Sequence, residues 1–288
     1  MTNDQINSKI LNPKQLFKKY GIQPLKRLGQ NFLIDKSVLN KIIEAADLSS
    51  NDIVLEIGPG LGVLTLELAK RVKRVITVEK DKKIYEILKE ILKDYKNIEL
   101  VNNDILKLVI GHWSLGFYKL VANLPYYITS PVIRKFLEIE NKPESMVLMV
   151  QKEVAQRICA RPTRLTGGHG GRAKPPKMNL LAVAVQFYAE PKIINYVSKK
   201  SFYPQPKVDS AIIQIIPKET PKIDSKKFFK IVKAGFSTKR KFLINNLSRE
   251  LKIENCKLKI VFDQMGLGQK LRAENLSIDD WLKIYEII

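Results

Sequence analysis

From residue 53 onward, short β-rich apolar runs alternate with helical patterns, and this alternation restricts the fold more than any other feature. The runs are Ile53–Ile57, Val75–Glu79, Ile98–Val101, Lys119–Ala122, Met146–Val150 and Leu181–Phe187. In the intervening stretch Lys82–Tyr95, Ile84, Ile87, Leu88, Ile91, Leu92 and Tyr95 recur at spacings of three and four, on one helical face. Strands that alternate with helices build a mostly parallel sheet covered on both faces. The expected class is therefore α/β. A further strand, Val208–Ile216, follows Leu181–Phe187 without a convincing helix between them, so these two are expected to pair antiparallel at the sheet edge.

The flanks read differently. The first fifty residues are helical in pattern, with a turn at Tyr20-Gly21 and an irregular stretch around Gly29-Gln30-Asn31. After Pro217 the strand signal ends, and Lys226–Gly235, Arg240–Glu250, Cys256–Met265 and Ile278–Ile287 read as helices. Three parts are expected: a helical segment over 1–50, an α/β domain over 51–217 and a small Lys-rich helical domain over 222–288. No internal repeat is visible.

Composition narrows the function. Hydrophobic residues make up 45% of 288, enough for a real core. Two cysteines, Cys159 and Cys256, and two histidines, His112 and His169, offer neither a disulfide framework nor zinc-ligand spacing, so no metal is expected. The start MTNDQINSKI lacks a basic n-region followed by an apolar h-region, and no apolar run reaches the roughly 20 residues that span a bilayer. A cytoplasmic protein with no membrane partner is expected. The net charge of +21 points to a polyanionic partner, because neutralised phosphates release counterions. Clustering supports this: Lys9 to Arg27 holds six basic residues, including Lys26 and Arg27, and no acidic one. Lys222 to Lys241 holds eight, including Lys239, Arg240 and Lys241, against the single Asp224. An anionic membrane surface is the other partner such clusters fit.

Ile53–Ile57 runs into Gly58-Pro59-Gly60-Leu61-Gly62, and helical periodicity follows from Val63 to Arg71. Glycines after a strand let backbone approach a ligand and leave helix N-terminal amides free. Alone, this motif is equally a tight strand-to-helix turn. Two acidic residues shift the balance. Glu79 ends the second strand 21 residues after Gly58, where a carboxylate can accept ribose hydroxyls. Asp104 follows the third strand, where it can accept an adenine amino group; otherwise it caps the next helix. The turn is G-x-G-x-G rather than the dinucleotide G-x-G-x-x-G. A glycine turn and two acids at successive strand ends fit S-adenosylmethionine better than a nicotinamide dinucleotide.

The fourth strand leads into Asn123-Leu124-Pro125-Tyr126. An exocyclic adenine amine is a poor nucleophile because its lone pair is delocalised into the ring. The Asn123 side-chain oxygen and the Leu124 carbonyl can both accept its hydrogens, localising the lone pair for in-line attack on a sulfonium methyl. Pro125 stiffens the turn, and Tyr126 offers a stacking face. The alternative is an ordinary Asn-Pro turn closing a strand.

These motifs, with Leu28-Gly29-Gln30-Asn31-Phe32-Leu33-Ile34-Asp35, Glu56-Ile57-Gly58-Pro59-Gly60, Gln151-Lys152-Glu153-Val154-Ala155 and Phe202–Ala211, resemble those of the small-subunit ribosomal RNA adenine N6,N6-dimethyltransferases. Lys239-Arg240-Lys241 and Asn245-Asn246-Leu247 extend the resemblance over nearly the whole chain. It implies a Rossmann-like methyltransferase sheet with a small C-terminal helical domain. It implies S-adenosylmethionine-dependent dimethylation of two adjacent adenosines near the 3′ end of small-subunit rRNA in pre-30S particles, by a monomer. The cofactor residues so implied are Asn31, Leu33, Gly58, Gly60, Glu79, Asp104 and Asn123, with Asn31 and Leu33 in a segment that closes over the cofactor. Phe202 would be a second stacking aromatic opposite Tyr126, or else a core phenylalanine. Lys26, Arg27, Lys239, Arg240 and Lys241 are the expected RNA contacts.

Tyr127 departs from the family, which often has Asn there. Arg161–Arg172, with three arginines, four glycines and His169, has no periodicity and reads as a passive inserted loop, or as an RNA-contacting flap. Two other functions are weighed. One is the related antibiotic-resistance methylation of large-subunit rRNA, disfavoured by Leu124 and by the Phe202–Ala211 segment. The other is a non-catalytic ribosome-assembly or transcription factor, disfavoured by the intact Asn123–Tyr126 motif.

Overall fold

The computed structural model describes residues 13–25, 28–110, 116–162 and 177–288. The chain divides into two compact units. One is Met1–Ala155 with Pro191–Pro217; the other is Gln156–Glu190 with Lys218–Ile288.

The first unit begins with α1 (Pro13–Tyr20), β1 (Phe32–Leu33) and α2 (Lys36–Ala46). Asp35 starts α2 by accepting the amides of Ser37 and Val38, the usual role of an aspartate before a helix. The alternating region then gives β2 (Ile53–Ile57), α3 (Val63–Ala69), β3 (Arg74–Glu79), α4 (Lys82–Leu92), β4 (Ile98–Asn102), β5 (Lys119–Asn123), α5 (Thr129–Glu138) and β6 (Ser145–Gln151). Helix α4 follows an Asp81 cap and buries Ile84, Ile87, Leu88 and Leu92, ending one turn before the expected Tyr95.

Next come α6 (Lys152–Ile158), α7 (Leu180–Tyr188), β7 (Ala189–Val197), β8 (Phe202–Tyr203) and β9 (Ser210–Pro217). The seven-stranded sheet has the order β4-β3-β2-β5-β6-β9-β7. Neighbours from β4 to β6 are parallel, and β9 runs antiparallel to β6 with Met146 opposite Ile215. The chain winds outward from β2 through β3 to β4 and then returns to place β5 on the other flank of β2. A crevice opens at such a reversal, beyond the carboxyl ends of β2 and β5.

Two sequence expectations fail here. Leu181–Phe187 is not a strand but the body of α7, capped by Asn179, whose side chain accepts the Ala182 amide at 3.1 Å. A short apolar run has no periodicity to separate a buried helix from a strand. Gln186 adds a reason for burial on every side, donating to the carbonyls of Ile158 and Ala160 at 3.0 and 2.9 Å. The strand is instead the next segment, β7, disguised by Pro191 and alternating polar residues; it holds the sheet edge, where proline is tolerated. Strand β9 consequently lies inside the sheet, between β6 and β7.

The second unit holds α6 from Gln156, α7, and the helices α8 (Ser225–Gly235), α9 (Leu243–Leu251), α10 (Asn255–Gln264) and α11 (Ile278–Ile287). In this unit Gln156–Glu190 clusters with Lys218–Ile288, whereas the sequence reading takes 222–288 alone. Its core joins α7 to the later helices: Phe187 stacks on Phe228 with ring centroids 4.7 Å apart. Gly235 is required by packing, since a Cβ there would lie 2.3 Å from the Trp281 ring.

Candidate active site

Within the first unit, the crevice at the reversal is a cleft whose walls include Gly29–Leu33, Glu56–Leu61, Glu79, Lys80, Asn103–Ile105 and Asn123–Ile128. Four strand ends and the β1 segment converge on it. Gly58, Gly60 and Gly62 all have positive φ, the conformation that side chains disfavour. At Gly60 space also matters: a Cβ would come within 3.0 Å of the Phe32 ring. Phe32 and Leu33 are held there because β1 pairs antiparallel with β8, Phe32 opposite Tyr203 and Leu33 opposite Phe202.

Glu79 is buried at the end of β3, and its Oε1 accepts the Asp81 amide at 2.7 Å. Burial carries its carboxyl up to about 7 against that hydrogen bond, and the Asp81 charge adds to the rise. Glu56, a cleft residue whose role is not apparent from the sequence, is similar. Its Oε2 accepts the Thr65 hydroxyl at 2.6 Å, while Oε1 is buried without a partner among the described residues. Burial lifts it to about 7 as well, opposed by the hydroxyls of Thr65 and of Thr77 across the ladder and reinforced by Glu79. Its sequence signal was an acid inside an otherwise apolar strand.

Asp104 opens a turn after β4. Its Oδ1 accepts the Leu106 amide at 3.0 Å, and its Oδ2 pairs with Lys80 at 2.9 Å. Partial burial pushes its carboxyl up, but Lys80 and the amide outweigh that and hold it below the usual range. Gln30 ties the β1 segment to this wall: its Nε2 donates to Asp81 at 2.8 Å, and its Oε1 accepts the Leu25 amide at 2.8 Å. Neither Lys80 nor Gln30 had a sequence-level role.

Asn123 ends β5, and its Nδ2 donates to the Asn31 carbonyl at 3.2 Å. Asn31 turns its own side chain back onto the Gly29 carbonyl at 3.0 Å. Pro125 initiates a short 3-10 turn, Tyr126–Ile128, and lies close to Gly58. The Tyr126 hydroxyl meets Ser210 Oγ at 2.8 Å, and its partial burial raises the phenol above the usual range. Tyr127 is half-exposed at the cleft rim, beside Gly29.

The structure thus brings Asn31, Leu33, Gly58, Gly60, Glu79, Asp104 and Asn123–Tyr126 into one cleft. It does not bring Phe202. That ring is 3% exposed in the core cluster with Leu33, Val38 and Ile212, and it takes no part in the cleft wall. Tyr203, beside it in β8, faces the other side and packs with Phe17 and Phe32.

Residues 23–288 match the family model described as ribosomal RNA adenine dimethylase. The chain belongs to the ribosomal RNA adenine dimethylase family. A ribosomal RNA small subunit methyltransferase A from Dehalococcoides mccartyi is 44% identical over 277 residues, 94% of this chain and 90% of its own length. A protein of that name from Clostridium botulinum is 41% identical over 283 residues, 96% and 98% of the two chains. Among solved structures, a dimethyladenosine transferase from Plasmodium falciparum is similar with a TM-score of 0.72 at 29% identity, covering 88% of this chain and 95% of that one. The 23S rRNA methyltransferase ErmE gives 0.69 at 28%, covering 89% and 99%.

Lys239, Arg240 and Lys241 are exposed in the turn between α8 and α9, and none has an ion pair among the described residues. Asn246 pins that turn from below, its Nδ2 donating to Gly235 at 2.7 Å and Thr238 at 3.0 Å. Lys26, Arg27 and most of Arg161–Arg172, including His169, lie outside the described residues. No helix among the described residues is long and apolar enough to cross a membrane.

Proposed function

We propose that the chain transfers methyl groups from S-adenosylmethionine to the N6 amines of two adjacent adenosines near the 3′ end of small-subunit rRNA, acting on pre-30S particles. The observation that carries the reading is the state of Asn123. One N–H of its NH₂ donates to the Asn31 carbonyl, which fixes the plane of the amide and leaves its oxygen free to accept from a ligand in the cleft. The cleft's donor and acceptor set fits an adenosyl cofactor: Glu79 for ribose hydroxyls, Asp104 for the base amine, and the unpartnered Glu56 Oε1 for a donor such as an ammonium. S-adenosylmethionine, when bound, supplies an electrophilic methyl group.

Asn123 Oδ1 and the Leu124 carbonyl act as acceptors for the two N6 hydrogens of the target base. They draw the nitrogen toward tetrahedral geometry and leave its lone pair directed away from them. Among the described residues no donor occupies the Leu124 carbonyl, while the Leu124 amide bonds to Met149 and fixes the peptide. Tyr126 supplies a stacking surface whose angle is set by the Ser210 hydrogen bond. An amide does not titrate in this range, so the proton displaced on methylation leaves to water. The stack on the target base rests on Tyr126, with the half-exposed Tyr127 adjacent and Phe202 behind Leu33 of the cleft wall. The basic turn Lys239–Lys241 binds rRNA phosphates.

The test is methyl transfer from labelled S-adenosylmethionine to undermethylated 30S particles, with mass analysis of the rRNA. Dimethylation of two adjacent adenosines near the small-subunit 3′ end is the expected product. Label in 23S rRNA, or RNA binding without product, would reassign the activity.

A further inference from the structure

Asp104, which the proposed function assigns to the cofactor's base, is built into its turn by two lysines on different elements. From β3, Lys80 Nζ lies 2.9 Å from Asp104 Oδ2. From α5, Lys135 Nζ donates to the carbonyls of Ile105 at 2.7 Å, Leu106 at 3.2 Å and Leu108 at 2.6 Å. An ammonium has three donors, so Lys135 spends all of them on this one turn. Three carbonyls converging on a cation would repel one another without it; the turn is held in shape by the lysine. Moreover α5 follows directly from Asn123–Ile128, so Lys135 connects the wall that would hold the target amine to the wall carrying the base-recognising carboxylate.

Each lysine does a distinct job. Lys80 fixes the carboxylate rotamer from one side while the Leu106 amide fixes it from the other. A carboxylate oxygen accepts more than one hydrogen bond, so both oxygens keep capacity for a ligand donor. A carboxylate so held is an acceptor only. It suits a 6-aminopurine, whose amine donates, and opposes a 6-oxopurine, whose oxygen faces it with like partial charge.

We infer that Lys80 and Lys135 are positioning residues that set the cofactor's base specificity, Lys80 by orienting the Asp104 carboxylate and Lys135 by holding the turn that presents it. This rests on the assignment of the cleft to an adenosyl cofactor, and it adds two residues that act through Asp104 and its turn.

The experiment measures binding of S-adenosylhomocysteine and of its 6-oxo analogue S-inosylhomocysteine to the full chain by calorimetry. In Lys80→Met and Lys135→Met, S-adenosylhomocysteine should bind about tenfold more weakly, the size expected for a disturbed charge-assisted hydrogen bond. The 6-oxo analogue, which gains nothing from Asp104, should change less than about twofold, so the amino-to-oxo preference collapses. Lys80→Arg, which keeps a cation for Asp104, should restore it. A general loss of structure would weaken both ligands together and leave the preference intact; that result, or an unchanged preference in Lys80→Met, overturns the inference. If Lys135→Met fails to fold, Lys135→Gln, which keeps two donors for the three carbonyls, is measured in its place, and an unchanged amino-to-oxo preference there overturns the role of Lys135. Failure of the unmodified chain to bind S-adenosylhomocysteine would overturn the cofactor assignment instead.

Discussion

The side-chain amide of Asn123, at the end of β5, donates to the main-chain carbonyl of Asn31, 92 residues earlier in the chain and 3.2 Å away. The bond orients the amide: with one N–H spent on Asn31, the side-chain plane is fixed and its oxygen is free to accept from a ligand. It also makes the group that accepts the target amine's hydrogen bond and the segment around β1 parts of one device. Asn123→Ala should lower the single-turnover rate by about 10²–10³, the loss typical of one preorganised acceptor, while cofactor binding weakens only modestly. Asn123→Asp should fail similarly, since its oxygen would face the Asn31 carbonyl. A near-normal rate in the alanine variant would remove Asn123 from the mechanism.

Tyr126 is expected to act through its ring and to be aimed by its hydroxyl. Tyr126→Phe keeps the ring but removes the 2.8 Å hydrogen bond with Ser210, and should reduce kcat by a small factor. Tyr126→Ala removes the stacking face, worth about 1–3 kcal/mol per base, and should cost about 10- to 100-fold in kcat/KM for RNA. Equal losses in the two variants would show that the hydroxyl, rather than the ring, is what matters.

Glu56 and Glu79 give the ligand-free protein a definite pH dependence. Both carboxyls sit near 7 when folded, against an ordinary value of 4.5. A raised carboxyl contributes nothing unfavourable below the unfolded value, and its penalty grows as pH rises from there through about 7. Glu79→Gln should therefore gain thermal stability relative to the unmodified chain between pH 5 and pH 8, measured as the difference in Tm. The same variant should bind S-adenosylhomocysteine at least about tenfold more weakly, because a hydrogen bond to a charged acceptor is removed. A pH-independent Tm difference would show that Glu79 does not titrate across this range.

For the basic turn, replacing Lys239, Arg240 and Lys241 with Ala should weaken rRNA binding and flatten its salt dependence, by about one slope unit for each phosphate no longer neutralised. Stability should hardly change, since the three side chains are exposed and unpaired among the described residues. Asn246→Ala should do the opposite, leaving two carbonyls without their donor and costing about 1–3 kcal/mol of stability. Salt titrations beside thermal melts separate the two, and an unchanged salt slope in the triple variant would contradict the phosphate-binding role.

Much of the architecture was legible locally. Ile53–Ile57 was delimited to the residue because an apolar β-branched run met glycines that only a turn would place there. Glu79, Asp104 and Asn123 could be read as site residues because strand ends in a parallel sheet lie along one edge. Gln30, Glu56, Lys80 and Lys135 could not, since each acquires its role from a partner brought in by a crossover: Gln30 from Asp81, Glu56 from Thr65, Lys80 from Asp104, and Lys135 from three carbonyls near residue 106.

The errors have the same origin. Local pattern determined where strands, caps and glycine turns fall, because backbone preference and side-chain periodicity act over a few residues. Whether LLAVAVQF became a helix, and how far Phe202 was buried, depended on what lay opposite: Phe228 for one, and Leu33, itself on the cleft wall, for the other. Tertiary packing decided both, because a buried apolar side chain is stabilised equally by either secondary structure until its neighbours select the face it must cover.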